Sequence, residues 1–253
     1  MDEMELLVEL HRHNARLGPG DDESTLKALE LSSLSALPRS TQQGLKVADV
    51  GCGTGASALL LAEYLQAHIQ AVDLFPEFLE TLNQRALAQG LNDLIQPLCA
   101  SMESLPFEEG SLDLLWSEGA VYNMGFEAGL KAWSPFLKSG GVIALSELTW
   151  LTSTRPQALQ AHWNQEYPQV DLPSSKISTL ERLGFTLLGY FPLPERAWAA
   201  YYEPLKERLS AFLAQHQEKA EAHALVEAEL QEIALYEAHK PYMSYGFYVA
   251  QKL

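Results

Sequence analysis

Asp49, Gly51, Gly53, Gly55 and Asp73 are the residues whose types and spacing first suggest chemistry. They lie on Val47-Ala48-Asp49-Val50-Gly51-Cys52-Gly53-Thr54-Gly55, an apolar strand pattern that stops in a glycine-rich turn, and at the end of the next apolar stretch, His68 to Val72. A helical pattern, Ala58 to Leu65, follows the turn. Glycines at such a turn supply positive φ angles and let a ligand approach backbone amides with no Cβ in the way. Gly51, Gly53 and Ala56 also satisfy the G-x-G-x-x-G/A spacing of dinucleotide-binding turns. Asp73, about twenty residues further on, stands where a carboxylate accepts hydrogen bonds from a ribose diol. A dinucleotide and a phosphate-free nucleoside both fit these residues. Asp49 favours the second, because a carboxylate beside the turn repels a pyrophosphate and suits a cationic ligand.

Three further segments follow in order: Ala100-Ser101-Met102-Glu103-Ser104-Leu105-Pro106-Phe107, Gly110-Ser111-Leu112-Asp113-Leu114-Leu115-Trp116-Ser117-Glu118, and Phe136-Leu137-Lys138-Ser139-Gly140-Gly141-Val142-Ile143-Ala144. With them, residues 45–150 resemble the class I S-adenosylmethionine (SAM) dependent methyltransferases, whose first motif reads much like Asp49 to Gly55. The look is closest to bacterial small-molecule members related to the quinone and sarcosine methyltransferases. The resemblance implies an α/β fold with a Rossmann-like seven-stranded sheet, its last strand antiparallel; the family joins that strand to the sixth by a hairpin, whereas here residues 192–242 intervene. It also implies SAM as cofactor, S-adenosylhomocysteine (SAH) as product and a small-molecule methyl acceptor. Carried onto this chain, Gly51, Cys52, Gly53 and Gly55 shape the cofactor turn, and Asp49 lies beside the sulfonium end. Asp73 and Leu74 take the ribose, Ser101, Met102 and Glu103 the adenine, and Ser117 and Glu118 close the fourth strand. Many members carry Asp where Ser101 stands, and a hydroxyl accepts more weakly from the adenine amino group.

Alternating strand and helix patterns argue for a parallel sheet covered on both faces. Strands are expected at 45–51, 68–73, 94–100, 112–118, 142–149, 185–191 and 243–251. The expected organisation is one domain over 1–253, with an N-terminal helical lid (1–40), a core (41–194), a helical insertion (195–241) and a last strand (242–253). Helices are expected from Asp2 to Leu17 and from Thr25 to Leu37, the second capped by Asp21 or Asp22. Related lids fold over the cofactor, which would turn His11, Arg12 and His13 to the pocket and set the Gly18-Pro19-Gly20 amides near the methionine carboxylate. In the insertion, Leu205, Leu209, Phe212 and then Val226, Leu230, Ile233 recur at helical spacing. That pair either caps the sheet edge, forms a homodimer surface or roofs the substrate.

Methyl transfer is an in-line displacement, so alignment and water exclusion do most of the work. Where the acceptor carries a proton, Glu118, Glu147 and His13 are candidate bases, with Tyr122 beside them. Each glutamate has a structural alternative, pairing with Arg12, Arg155 or a helix N-terminus. Two carboxylates at one rim, with Tyr122, Trp150, Trp163 and Tyr167 nearby in sequence, suit a polar or cationic acceptor. The segment after Glu118 has no proline, unlike the Asn/Asp-Pro-Pro-Tyr loop of enzymes that methylate nucleobase amines.

A formal charge of −16 with no basic cluster argues against nucleic acid. Two cysteines, Cys52 and Cys99, give neither a metal pair nor a disulfide framework, and no metal site is expected. Without a basic leader or a membrane-length apolar run, a cytoplasmic protein is expected. Three alternatives stand beside the small-molecule methyltransferase: a SAM-binding sensor or scaffold without turnover, an NAD(P)-dependent oxidoreductase, and a protein methyltransferase.

Overall fold

A computed structural model describes residues 3–253. In chain order its first half comprises α1 (Glu3–His11), α2 (Asp22–Leu31), α3 (Arg39–Gln43), β1 (Val47–Val50), α4 (Ala56–Leu65), β2 (Ile69–Asp73), α5 (Pro76–Gln89) and β3 (Ile95–Cys99). The second half comprises β4 (Leu112–Glu118), α6 (Phe126–Trp133), β5 (Leu137–Trp150), α7 (Gln157–Glu166), α8 (Pro173–Arg182), β6 (Phe185–Pro192), α9 (Glu195–Gln215), α10 (Ala220–His239) and β7 (Met243–Lys252).

The strands form one 7-stranded sheet in the order β3-β2-β1-β4-β5-β7-β6. β1 to β5 pair parallel, and β7 inserts antiparallel between β5 and β6. Every residue of β1 is buried, as expected of a strand covered by helices on both faces. Successive crossovers carry the chain outward from β1 to β3; it then returns to the other side of β1 as β4. Loops after β1 and β4 therefore diverge, which opens a crevice at the carboxyl ends of the strands, where doubly wound sheets bind ligands.

The seven expected strands are present, as is the helical pair before the last one. Strand five differs at its start. Leu137 pairs with Leu112 and Val142 with Leu114, so residues 138–141 bulge out of the ladder, with Gly140 at φ +79. The expected turn is thus a bulge inside a strand that begins at Leu137.

The N-terminal segment departs further. Its expected start at Asp2 lies outside the described residues, and α1 ends at His11 rather than Leu17. Residues 12–20 leave the helix because their carbonyls are needed elsewhere: Thr54 Oγ1 donates to Asn14 O (2.8 Å), Arg85 Nη1 to Ala15 O (3.0 Å) and Thr81 Oγ1 to Arg12 O (3.0 Å). The result is a strap across the glycine turn. α2 begins at Asp22, earlier than expected, with Asp21 as its cap accepting from Ser24 N (2.7 Å), and it stops at Leu31.

Gly55 shows why the turn needs glycine. It precedes α4 with φ +87, and a Cβ there would overlap the side chain of Leu82 on α5. Left-handed backbone costs roughly 1–2 kcal/mol and overpacking roughly 1–3 kcal/mol. Gly55→Ala is therefore expected to lower unfolding stability by about 2–5 kcal/mol. Urea denaturation checks this, and an unchanged midpoint would show that the turn yields freely.

Candidate active site

A cavity of about 700 Å³ opens at the crevice. Its lining falls into two groups by the elements that carry it. One is the glycine turn with the loops after β2, β3 and β4 and the strap; the other is an aromatic chamber built from α7, α9, α10 and β7.

At the turn, Gly51, Cys52 and Gly53 face the cavity. The Gly51 and Cys52 amides both donate to Val72 O (2.9 and 3.0 Å), which ties the turn to β2. Gly53 lies under the strap: a Cβ would sit 2.7 Å from Leu17 Cδ1. Asp73 lines the same end. Its Oδ2 accepts from Gly53 N (2.8 Å) and its Oδ1 from Phe75 N (3.0 Å). Each oxygen keeps a lone pair, so the carboxylate can accept two further hydrogen bonds from a diol. Burial pushes the Asp73 carboxyl up, and the backbone amides oppose that.

Leu74, Ser101, Met102 and Glu103 line this end as well. The Ser101 hydroxyl accepts from Glu103 N (3.2 Å) and Met102 O accepts from Trp133 Nε1 (2.9 Å), so local bonds hold the loop in shape.

Asp49 and Ser117 lie beneath the turn. Both side chains are wholly buried and neither is part of the cavity lining. Ser57 Oγ donates to Asp49 Oδ2 (2.6 Å), while Asp49 Oδ1 and Ser117 Oγ have no partner among the described residues. Burial, with Glu118 and Asp73 adding to it, raises the Asp49 carboxyl to about 7. In the unfolded chain it titrates at its ordinary value of 3.8. The neutral form is favoured by the fold, so stability is fully present below pH 3.8 and is lost as pH rises to about 7. The loss is on the order of 4 kcal/mol at about 1.4 kcal/mol per pH unit. Asp49→Asn is expected to flatten this decline in denaturation curves taken from pH 4 to 8; an equal decline in the variant would refute the assignment.

Glu118, a candidate base, is committed to the strap. Its Oε1 accepts from Thr25 Oγ1 (2.7 Å) and Trp116 Nε1 (2.9 Å), and its Oε2 pairs with Arg16 Nη1 (2.9 Å). Arg16 reaches from the strap and also holds Asp22 (2.9 Å). With two neutral donors and a guanidinium on it, Glu118 acts as an anchor for the N-terminal segment rather than as a free proton acceptor. Sequence reasoning missed Arg16, because its partner lies 102 residues away.

Glu147 is wholly buried on β5, outside the cavity lining, with Lys176 Nζ of α8 at 3.5 Å. Burial raises the carboxyl and lowers the ammonium, so both are driven towards neutrality. The expected arginine partners are not the observed ones; Arg155 instead stacks over Trp150 (4.2 Å). His13 does not reach the cavity. α1 ends two residues before it, and it lies exposed beside Arg12 (3.1 Å). Arg12 is also absent from the lining, whereas His11, Gly18 and Pro19 belong to it. Tyr122, Trp163 and Tyr167 line the chamber; Trp150 is packed in the core.

Most of the chamber was invisible at the level of motifs. On α9, Trp198, Tyr201 and Tyr202 face it at helical spacing, and Tyr236 and Leu235 face it from α10. Leu230, expected on the packed stripe of α10, is 49% exposed. Ala222, Val226, Ile233 and Tyr236 are the buried ones, and Glu229 falls on their stripe. A carboxylate recurring inside an apolar stripe was the available signal.

Comparison with known proteins bears on the fold. Residues 47–141 match the family model described as a methyltransferase domain. "Methyltransferase GfsG" of Streptomyces halstedii is 27% identical over 57% of this chain and 54% of its own length. Sarcosine/dimethylglycine N-methyltransferase of Halorhodospira halochloris is 32% identical over 43% of this chain and 39% of its own. The chain thus spans about half, or less, of the length of these curated relatives. A SAM-dependent methyltransferase from Geobacter sulfurreducens, solved with SAH, superposes over 98% of both chains with a TM-score of 0.83 at 15% identity, which shows a shared fold. Residues 47–141 thus match a methyltransferase domain, and the chain as a whole shares its fold with this solved SAM-dependent methyltransferase.

Proposed function

We propose that this protein transfers the methyl group of SAM to a small-molecule acceptor held in the aromatic chamber. The observation that carries this reading is one cavity joining the glycine turn, with Asp73 beside it, to a roofed chamber. SAM supplies an electrophilic methyl on a sulfonium when bound. The turn amides and Asp73 would hold its nucleoside, the 101–103 loop its base, and Gly18 and Pro19 of the strap its amino-acid end. The strap and helices α9 and α10 exclude water from the space where the acceptor sits, which is the main contribution a displacement needs. Glu118 and Arg16 fix the strap that closes the cofactor end.

Support for a small acceptor comes from the roof itself: α1 packs on both α9 and α10, leaving a chamber rather than an open groove for a protein chain. The net charge of −16 supports an acceptor other than nucleic acid. Among the described residues no helix is long and apolar enough to cross a membrane, and the two cysteines are free, in keeping with work in the cytosol. Residues 3–253 would then act as one unit, alone or as a homodimer.

The test is calorimetric titration with SAM, SAH and NADH, followed by incubation with methyl-labelled SAM and dialysed or undialysed bacterial extract. SAM binding with label transferred only in the undialysed extract is the expected result. SAM binding without transfer in either extract would favour a sensor, and NADH binding in place of SAM would favour an oxidoreductase.

A further inference from the structure

We infer that the aromatic chamber is a binding site for a small organic cation of the alkylammonium class. This rests on the reading above for the chamber's role as acceptor site, and it names the chemistry of that acceptor.

The charge of the cavity is the first argument. Its lining includes six carboxylates, Asp73, Glu103, Glu118, Glu166, Glu229 and Glu232, against a single guanidinium, that of Arg16, and no lysine. Arg16 is already spent on Glu118 and Asp22. Three of those carboxylates, Glu166 on α7 and Glu229 and Glu232 on α10, belong to the chamber. His11 Nε2 lies 3.2 Å from Glu229 Oε1 and is the one titratable base facing them among the described lining residues. An anionic or phosphorylated ligand would meet repulsion here with no counter-charge, whereas a cation gains from every neighbour.

The walls give the second argument. Trp198 stacks on Tyr236 (3.9 Å between ring centres, 11° between planes), and Tyr202 and Tyr245 pack on the same indole at 5.7 and 5.5 Å. Rings held this way present faces and hydroxyl oxygens with little entropy left to lose, which is how aromatic boxes hold ammonium groups.

The third argument is a polar group with nothing to bond. Tyr201 is only 8% exposed and lines the cavity, yet its hydroxyl has no hydrogen-bond partner among the described residues. Its hydroxyl is not a sealed-off buried atom either, so it opens onto the cavity. Glu232 is exposed on the same lining: Tyr202 Oη donates to its Oε1 (3.0 Å), and the rest of the carboxylate is open to accept. The surrounding protein and the nearby Glu229 push its carboxyl up, and Tyr202 and His11 oppose that. The Tyr201 hydroxyl and the Glu232 carboxylate thus offer free lone pairs on one lining to a donor that comes from outside.

The test uses the full chain saturated with SAH, after its binding has been measured. Choline and hexylammonium are titrated calorimetrically against their neutral counterparts 3,3-dimethylbutan-1-ol and hexan-1-ol. At least one cation is expected to bind about tenfold or more tightly than its neutral partner. Glu232→Gln should reduce that preference at least threefold, and Tyr201→Phe should weaken it too, with SAH affinity unchanged in both. Equal binding of cation and neutral partner, or a preference that survives both substitutions, would overturn the inference. Failure to bind SAH would instead remove the methyltransferase reading. The same four titrations on the ligand-free protein would then still decide whether the chamber prefers cations.

Discussion

Asp73→Ala is expected to weaken SAH binding by roughly thirtyfold to more than a hundredfold, about 2–3 kcal/mol. Two effects add. The ligand's diol loses an ionised acceptor, and hydrogen bonds to charged groups are worth about 1.5–3 kcal/mol each. The Gly53 and Phe75 amides, bonded to the carboxylate at 2.8 and 3.0 Å, lose their partner as well, so the turn itself loosens. Asp73→Asn separates the two contributions. An amide oxygen can keep one backbone bond while the charge is lost, so the loss should be smaller, about tenfold. Titration calorimetry on the three proteins measures this directly. An Asp73→Ala protein that folds and binds SAH normally would show that the nucleoside lies elsewhere.

The second large effect concerns the strap. Arg16→Met removes the guanidinium from Glu118, whose side chain is 11% exposed, and leaves a carboxylate with only Thr25 and Trp116 as donors. Breaking a buried pair on one side costs about 3–5 kcal/mol; discounted for the water that reaches both side chains, about 2–4 kcal/mol is expected here. Pairing it with Glu118→Gln removes the stranded charge, and the double variant should recover at least half of the loss in urea denaturation. The single and double variants should both release SAH faster, since the strap loses its tie in each. Glu118→Gln alone decides the role of that residue. As an anchor it lowers SAM affinity and leaves the turnover of the saturated protein nearly unchanged, while a base would show intact affinity and a collapsed rate. Equal stability of Arg16→Met and the parent would remove the strap account.

Much of the architecture was legible because it depends on local pattern. Apolar runs of strand length marked all seven strands, those at Gly51, Asp73 and Glu118 ending in glycine or acid, and the glycine turn announced its own geometry through residues that adopt positive φ readily. Gly51, Gly53 and Gly55 have φ values of +73, +53 and +87. The place of Asp73 beside the turn was readable for the same reason: its distance from the turn is set by one helix and one strand.

Candidate proton acceptors were less legible. Glu118, Glu147 and His13 share a chemistry in the sequence, but three different environments separate them. Glu118 is bound by Arg16, Glu147 is enclosed with Lys176 outside the cavity, and His13 is exposed because α1 stops early. None of those partners is near in the chain, and the protonation of a carboxyl depends on burial and neighbouring charge rather than on its position in a motif.

By itself, then, the sequence determined the sheet, its crevice and the residues of the glycine turn, since hydrophobic period and backbone conformation are properties of neighbouring residues. Only the tertiary structure decided which acids are free and which side chains wall the chamber. Tyr201, Glu229, Glu232 and Tyr245 become one wall when α9 and α10 fold back over β7, and that wall exists in no stretch of the chain taken alone.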